Sequence, residues 1–170
     1  MANNATPQPR NDLNFLRDLV ITEMLITDLL PINRRARKHR RKQIEQIARS
    51  IMEFGFANPI LVDDENRVLA GVGRVLAAQF LGMDRVPAIR ISGMSEVQRR
   101  AYVIADNRLA ELAEWDNEII ALEFAYITEL DIEFNLTTTG FVTPEIDLVM
   151  GEAALNTPEP PIPPLERTPS

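Results

Sequence analysis

Apolar and polar positions change their period several times along this chain. Residues 1–12 are polar and hold two prolines, which predicts a loose N-terminal tail. Leu19 to Leu30 is apolar and partly β-branched, interrupted by Thr22, Glu23 and Thr27. It predicts a first strand, then a turn at Pro31-Ile32-Asn33. Ile44, Ile47, Ala48 and Ile51 fall at helical spacing and predict an amphipathic helix that Gly55 stops. Pro59 to Val62 reads as a short buried strand, Asp63-Asp64-Glu65-Asn66 as a hairpin-like turn, and Arg67 to Ala70 as the returning strand. Gly71-Val72-Gly73 reads as a glycine turn from which Arg74 opens a helix to about Leu81, ended by Gly82. That helix is apolar nearly all round and is expected to be buried. Val86 to Ile91 predicts another strand, and Pro87 near its start points to a sheet edge.

The second half changes to helical spacing only. Ser95-Glu96-Val97-Gln98 fits a capping box. The long helix after it is expected to turn Val97, Ala101, Ile104, Ala105 and Leu112 inward. Asp116 is set to cap a further helix with Ile120, Phe124 and Ile127 on one face, and Thr143-Pro144 is set to start a short last one. Trp115 and Phe124 are expected in the core or at the seam between the two halves. The order is that of an α+β domain, a small mixed sheet with packed helices, followed by a helical C-terminal extension.

Composition narrows the chemistry. The chain has 170 residues and no cysteine, so disulfides, thiolate metal sites and cysteine catalysis are excluded together. His39 is the one histidine, which leaves no histidine-rich zinc site and no nucleophile–histidine triad; it is expected exposed rather than catalytic. A metal here is expected to be a hard ion on carboxylates, magnesium first. The first residues lack the basic start and apolar run of a signal peptide, and no apolar run is long enough to span a membrane, so a cytoplasmic location is expected.

The net charge of −7 is unevenly spread. Arg34, Arg35, Arg37, Lys38, Arg40, Arg41 and Lys42 crowd into nine positions, whereas no Lys or Arg occurs between Ala110 and Glu166. A basic segment of this kind meets a polyanion such as DNA phosphate, or else stands as a solvated loop that pairs with the acidic half. The acidic half is repelled by nucleic acid, and no helix-turn-helix reader follows residue 115. From Thr157 the chain reads TPEPPIPPLERTPS, with six of the twelve prolines. Such a segment cannot build a core and suits a tail, a linker or, more weakly, a PxxP ligand.

The strongest local chemical signal is a strand, then Gly71-Val72-Gly73-Arg74, then a helix. Backbone N–H groups at a helix N-terminus favour an anion, and an arginine adds a cationic fork that fits phosphate. The same four residues also suit a plain tight turn with a surface arginine. A dinucleotide fingerprint would need a third glycine where Leu76 stands, and a P-loop sequence is absent. Further along, Arg99, Arg100 and Asn107, with Arg108 at the border, share a broad polar helix face. It reads either as a partner of the glycine turn or as a solvated face with ordinary charge pairs.

Four stretches in order resemble one family: Lys42 to Ala48, Gly55-Phe56-Ala57-Asn58-Pro59-Ile60-Leu61-Val62, Ala70-Gly71-Val72-Gly73-Arg74, and Ile104-Ala105-Asp106-Asn107-Arg108-Leu109. Together, over roughly residues 20–150, the chain resembles the N-terminal domain of the ParB-like (ParB/sulfiredoxin) superfamily. Among its branches it looks nearest the phage and mobile-element type found in front of DNA methyltransferases. The resemblance implies a base-side contact at Gly55, Asn58 and Pro59, a triphosphate cradle at Gly71, Val72, Gly73 and Arg74, further phosphate contacts from Asn107 and Arg108, and magnesium at Asp106. It implies CTP or ATP with magnesium as cofactors. It also implies DNA, a second copy of the chain or a methyltransferase as partners, and a bacterial or phage-infected cell as the setting.

Two departures matter. Sulfiredoxin chemistry needs a cysteine beside the glycine turn, and there is none. Relatives usually carry a polar residue after the first glycine; Val72 can be neither a base nor a ligand, so the chain alone is read as leaning away from catalysis, with no catalytic residue assigned. The leading expectation is a nucleotide-binding, DNA-associated module. A magnesium-dependent nuclease or phosphotransferase and a non-catalytic methyltransferase accessory domain remain as alternatives. The expected organisation is a flexible tail over 1–17, an α+β core over 18–93, a helical part completing the site over 94–152, and a proline-rich tail or linker over 153–170.

Overall fold

The computed structural model describes residues 19–30 and 40–156. The described residues form two compact units that part between Ala113 and Glu114. The expected N-terminal tail, the turn at Pro31, His39 and the proline-rich end from Thr157 lie outside the described residues.

The first unit is built on a four-stranded mixed sheet. Its strands are β1 (Ile21–Leu25), β2 (Ile60–Val62), β3 (Val68–Ala70) and β4 (Arg85–Arg90), in the spatial order β1-β4-β2-β3. β1 and β4 are antiparallel, β4 and β2 parallel, and β2 and β3 antiparallel. Its helices are α1 (Arg41–Phe54), α2 (Val72–Phe80) and α3 (Glu96–Glu111). Ile60, Val62, Val68, Val75, Ala78, Val86 and Ala88 are buried together as the core, drawn from three strands and α2. Met24, Ile26, Phe56, Val72 and Met83 close it from the sides. Burial of these apolar groups is the main term favouring the fold.

Four expectations for this unit change. The first strand is shorter than Leu19 to Leu30, because the chain turns into a 3₁₀ segment at Ile26–Asp28 whose Ile26 amide bonds the Asp84 carbonyl. β4 is an inner strand rather than an edge. Pro87 is tolerated there because β2 begins opposite Ala88, so at Pro87 the strand is paired only with Glu23 of β1. The helix after the glycine turn starts at Val72, not Arg74, and its far end is open: Ala77 and Ala78 are buried but Phe80 is exposed.

The largest change concerns α3. Its capping box is present, with the Ser95 hydroxyl accepting from the Gln98 amide and the Gln98 side chain accepting from the Ser95 amide. Its rotation, however, is opposite to the expected one. Val97, Ala101, Ile104, Ala105 and Leu112 are all exposed, while Arg99, Tyr102, Val103 and Asn107 are half-buried. Arg99 sets this rotation through ion pairs to Asp63 and Glu65 on the β2–β3 turn. Residues 99, 103 and 106 share the face that Arg99 turns inward. Ser95→Ala is expected to lower stability by about 1 kcal/mol, the usual worth of an N-cap, read as a fall in the urea midpoint.

The second unit is helical. α4 (Asn117–Leu130) is capped by Asp116, whose carboxylate accepts from the Glu118 and Ile119 amides. A 3₁₀ turn at Leu136–Thr139 leads to α5 (Thr143–Asn156), which at 14 residues is not short. Thr143 is its first helical residue rather than its cap; the Glu145 carboxylate accepts from the Val142 amide just ahead of it. Ala121, Phe124, Ile146 and Val149 are buried, and Phe141 meets Phe124 edge-on at 5.4 Å between ring centroids. Phe124 is therefore a core residue of this unit. Trp115 is exposed, its ring 5.5 Å from Phe141. No helix among the described residues is long and apolar enough to cross a membrane.

Candidate nucleotide site

The site begins where β3 ends. Gly71 takes the left-handed backbone (φ 91°) and caps α2, its carbonyl accepting from the Val75 amide at 3.1 Å. No side chain caps this helix, so the first-turn amides are open to an incoming acceptor. A Cβ at Gly71 would lie 2.9 Å from Arg74 Nη2 and 2.9 Å from Ile60 Cγ2. The Arg74 guanidinium thus lies folded against the glycine, in space that any side chain would take. Val72, read from sequence as a departure, packs on the apolar core.

Arg74 donates from Nη1 to the Asn58 carbonyl at 2.6 Å, which ties the segment after α1 to the start of α2. That segment leaves α1 at Gly55, which caps the helix with a positive φ of 75°. Asn58 and Pro59 then lead straight into β2. Burial lowers the Arg74 pKa from its ordinary value, and the Asp106 carboxylate on α3 opposes that shift. A guanidinium stays charged under any such shift, so the consequence is a desolvated cation with donors to spare. Tyr102 stands beside the same carboxylate. Burial and the negative charge of Asp106 both raise the pKa of its phenol. Sequence reading missed Tyr102; its spacing of four from Asp106 on one helix was the signal available.

The remaining expected site residues have other contacts. Asn107 donates to the Val103 carbonyl at 2.7 Å, and Arg108 pairs with Glu111 at 3.3 Å. Arg100 pairs with Glu96. Of the basic run, Arg34, Arg35, Arg37 and Lys38 lie outside the described residues. Arg40 caps α1, and Arg41 and Lys42 are exposed in its first turn, with Arg41 paired to Glu45 at 3.0 Å.

A second polar cluster, also missed from sequence, supports the first. Asp63 is 1% exposed, yet its pKa is lowered from the ordinary value. Burial alone would raise its pKa. The Arg67 and Glu65 amides and the Arg67 guanidinium outweigh that and hold the carboxyl below its usual value. One oxygen accepts from the Glu65 amide at 3.0 Å and the Arg67 amide at 2.8 Å; the other accepts from Arg67 at 3.2 Å and faces Arg99 at 3.6 Å. Arg90 donates to the Asp63 carbonyl and to the Asn66 side chain. The cluster fastens the N-terminal half of α3 to the sheet, and so sets the helix that carries Asp106.

The structure brings together open helix amides, a half-buried arginine and a glycine with no room for a side chain, donors that would suit an anion. No group of three His, Cys, Asp or Glu suited to a metal stands among the described residues.

Fold and site together define a small α+β domain in which a glycine-capped helix carrying Arg74 follows the β2–β3 hairpin. The family model of the ParB N-terminal domain matches residues 12–108. The ParB-like nuclease domain-containing protein YnaK of Escherichia coli is 41% identical over 75 residues, which are 44% of this chain and 86% of that protein. A nucleoid occlusion protein of Bacillus thuringiensis is 33% identical over 100 residues, 56% of this chain but only 32% of its own length. Among solved structures, the C-terminally truncated chromosome-partitioning protein ParB of Caulobacter crescentus, complexed with CTP-γ-S, matches with a TM-score of 0.65 at 25% identity. The match covers 79% of each chain. The chain belongs to the ParB N-terminal domain family.

Proposed function

We propose that this chain is a nucleotide-binding, DNA-associated module that takes CTP, with ATP as the second candidate, at the Gly71–Arg74 cradle. The observation that carries this reading is Arg74: half-buried, held over Gly71, with Asn58 as its hydrogen-bond partner among the described residues. The match to a partition protein complexed with a CTP analogue supports it. In this reading α3 completes the site begun in the α+β core, because the Asp106 carboxylate acts electrostatically on Arg74. Asp106 holds magnesium against the phosphates, and Asn107 and Arg108 exchange their present contacts for phosphate oxygens. Gly55, Asn58 and Pro59 border the base. Magnesium supplies charge neutralisation on the phosphates; the chain's own groups bind and orient them.

DNA contact falls to Arg34, Arg35, Arg37, Lys38, Arg40, Arg41 and Lys42, by sequence-independent phosphate pairing. A second copy of the chain is the further partner, and the exposed apolar stripe of α3 supports self-association. The acidic helical unit and the proline-rich segment support an origin in a phage or mobile element, beside a methyltransferase. A nuclease reading is favoured by one observation, the likeness to a ParB-like nuclease domain-containing protein.

The readings part in one experiment. Fluorescence anisotropy of a labelled duplex is followed with no nucleotide, with CTP and with ATP, and the duplex is then run on a denaturing gel. The expected result is salt-sensitive binding that changes when CTP is added, with the duplex intact. Cleavage that needs magnesium and stops in Asp106→Asn would establish the nuclease instead. Binding indifferent to both nucleotides would defeat the proposal.

A further inference from the structure

α3 packs on β3 and spans from the β2–β3 turn to the glycine cap. Arg99 fixes one end, with Nε 3.6 Å from the Asp63 carboxylate and Nη1 3.9 Å from that of Glu65. The Asp106 carboxylate marks the other end, since it acts electrostatically on Arg74. The two paths have similar lengths. The helical rise from Arg99 to Asp106 is about 10 Å, and the extended chain from Arg67 to Gly71 covers about 13 Å.

Tyr102 lies within that stretch, about one turn after Arg99 and one turn before Asp106. Tyr102 and Val103 are half-buried there, whereas Ala101, Ile104 and Ala105 are exposed. On β3, Leu69 is 4% exposed although it stands outside the core cluster shared with α2, and Val68 beside it belongs to that cluster. Leu69 therefore points to the α3 side, where the half-buried face of α3 covers it. The Tyr102 ring belongs to this layer, so packing limits where its phenol can reach. The hydroxyl itself has no hydrogen-bond partner among the described residues. A phenol partly withdrawn from water usually finds one. The carboxylate that acts on it is Asp106, the same one that acts on Arg74.

With the base beside Gly55, Asn58 and Pro59, the reading on which this inference rests, the phosphates run away from that segment. Arg74 comes first, bonded to the Asn58 carbonyl. α3 comes last, with Asp106 and the unused donor of Tyr102. We propose that the Tyr102 hydroxyl donates to the terminal phosphate of the bound nucleotide and so makes the site select a triphosphate over a diphosphate. A neutral donor to a charged acceptor adds affinity only where that acceptor is present. The diphosphate lacks it.

The test titrates CTP and CDP, each with magnesium, into the full-length wild type and Tyr102→Phe by calorimetry, with urea unfolding of both proteins alongside. The wild type is expected to prefer CTP. Tyr102→Phe is expected to bind CTP roughly tenfold more weakly, to bind CDP as before and to keep its urea midpoint, because it loses only a hydroxyl that bonds to nothing in the empty site. Tyr102→His, which keeps a ring-borne donor, is expected to recover part of the CTP affinity. A wild type that binds neither nucleotide would defeat the nucleotide site itself and this proposal with it. A wild type that binds CTP while Tyr102→Phe binds it equally well would leave the site standing and overturn the role of Tyr102. An equal loss for CTP and CDP would also overturn it, by reducing Tyr102 to packing.

Discussion

Gly71→Val is expected to remove nucleotide binding and to weaken the first unit at the same time. A β-branched residue is strongly disfavoured in the left-handed backbone that Gly71 adopts. Its Cβ also meets two neighbours of different kinds. The Arg74 side-chain end, at 2.9 Å, can swing away, but then it no longer stands over the helix amides. The Ile60 methyl, also at 2.9 Å, belongs to a fully buried side chain and has little room to yield. Backbone strain and overpacking together are expected to cost about 3 kcal/mol, read by urea unfolding. Gly71→Ala keeps more of the fold and still displaces Arg74, so it separates the two effects. A variant of normal stability and normal CTP affinity would show that the space over Gly71 is not part of the site.

Asp63→Ala is expected to destabilise the protein by about 3 kcal/mol, because it leaves two turn amides without their acceptor and Arg99 without a buried counter-charge. Asp63→Asn keeps the shape and an acceptor oxygen and costs less, but it removes a titration. The folded pKa lies below the ordinary 3.8, so the unfolded chain binds the proton more readily. The carboxylate's contribution is therefore fully present above pH 5 or so and is lost as the pH falls through the folded value. Urea midpoints measured from pH 7 down to pH 3 should fall more steeply for the wild type than for Asp63→Asn. Parallel curves would mean that another group governs the acid limb. Because Asp63 seats α3, the alanine variant should also lose CTP affinity, whereas the asparagine variant should retain most of it.

Much of the fold was legible because local rules and tertiary packing agreed. Gly55 and Gly82 ended their helices, and Ser95 and Asp116 capped theirs, at the expected positions. Two misreadings share a cause. Pro87 spoke for an edge only while the neighbouring strand was unknown; the late start of β2 made an inner place tolerable. The apolar stripe of α3 spoke for burial only while the helix was considered alone. Its rotation comes from Arg99, whose acidic partners sit 34 and 36 residues away in sequence. Long-range ion pairs of this kind leave no periodic signal. At the site, the glycine cap and Arg74 could be read from four residues and their resemblance. The Arg74–Asn58 bond required the chain to be folded.

Calorimetric titration of CTP with magnesium into the wild type and into Arg74→Ala is the most direct measurement. The wild type is expected to bind, and the variant to bind roughly a hundredfold more weakly or not at all, as for loss of one partner in a desolvated charge pair. Arg74→Lys should restore only part of the affinity, since an ammonium lacks the planar fork. Equal binding by wild type and Arg74→Ala, or none by the wild type, would contradict the phosphate site on which this account rests.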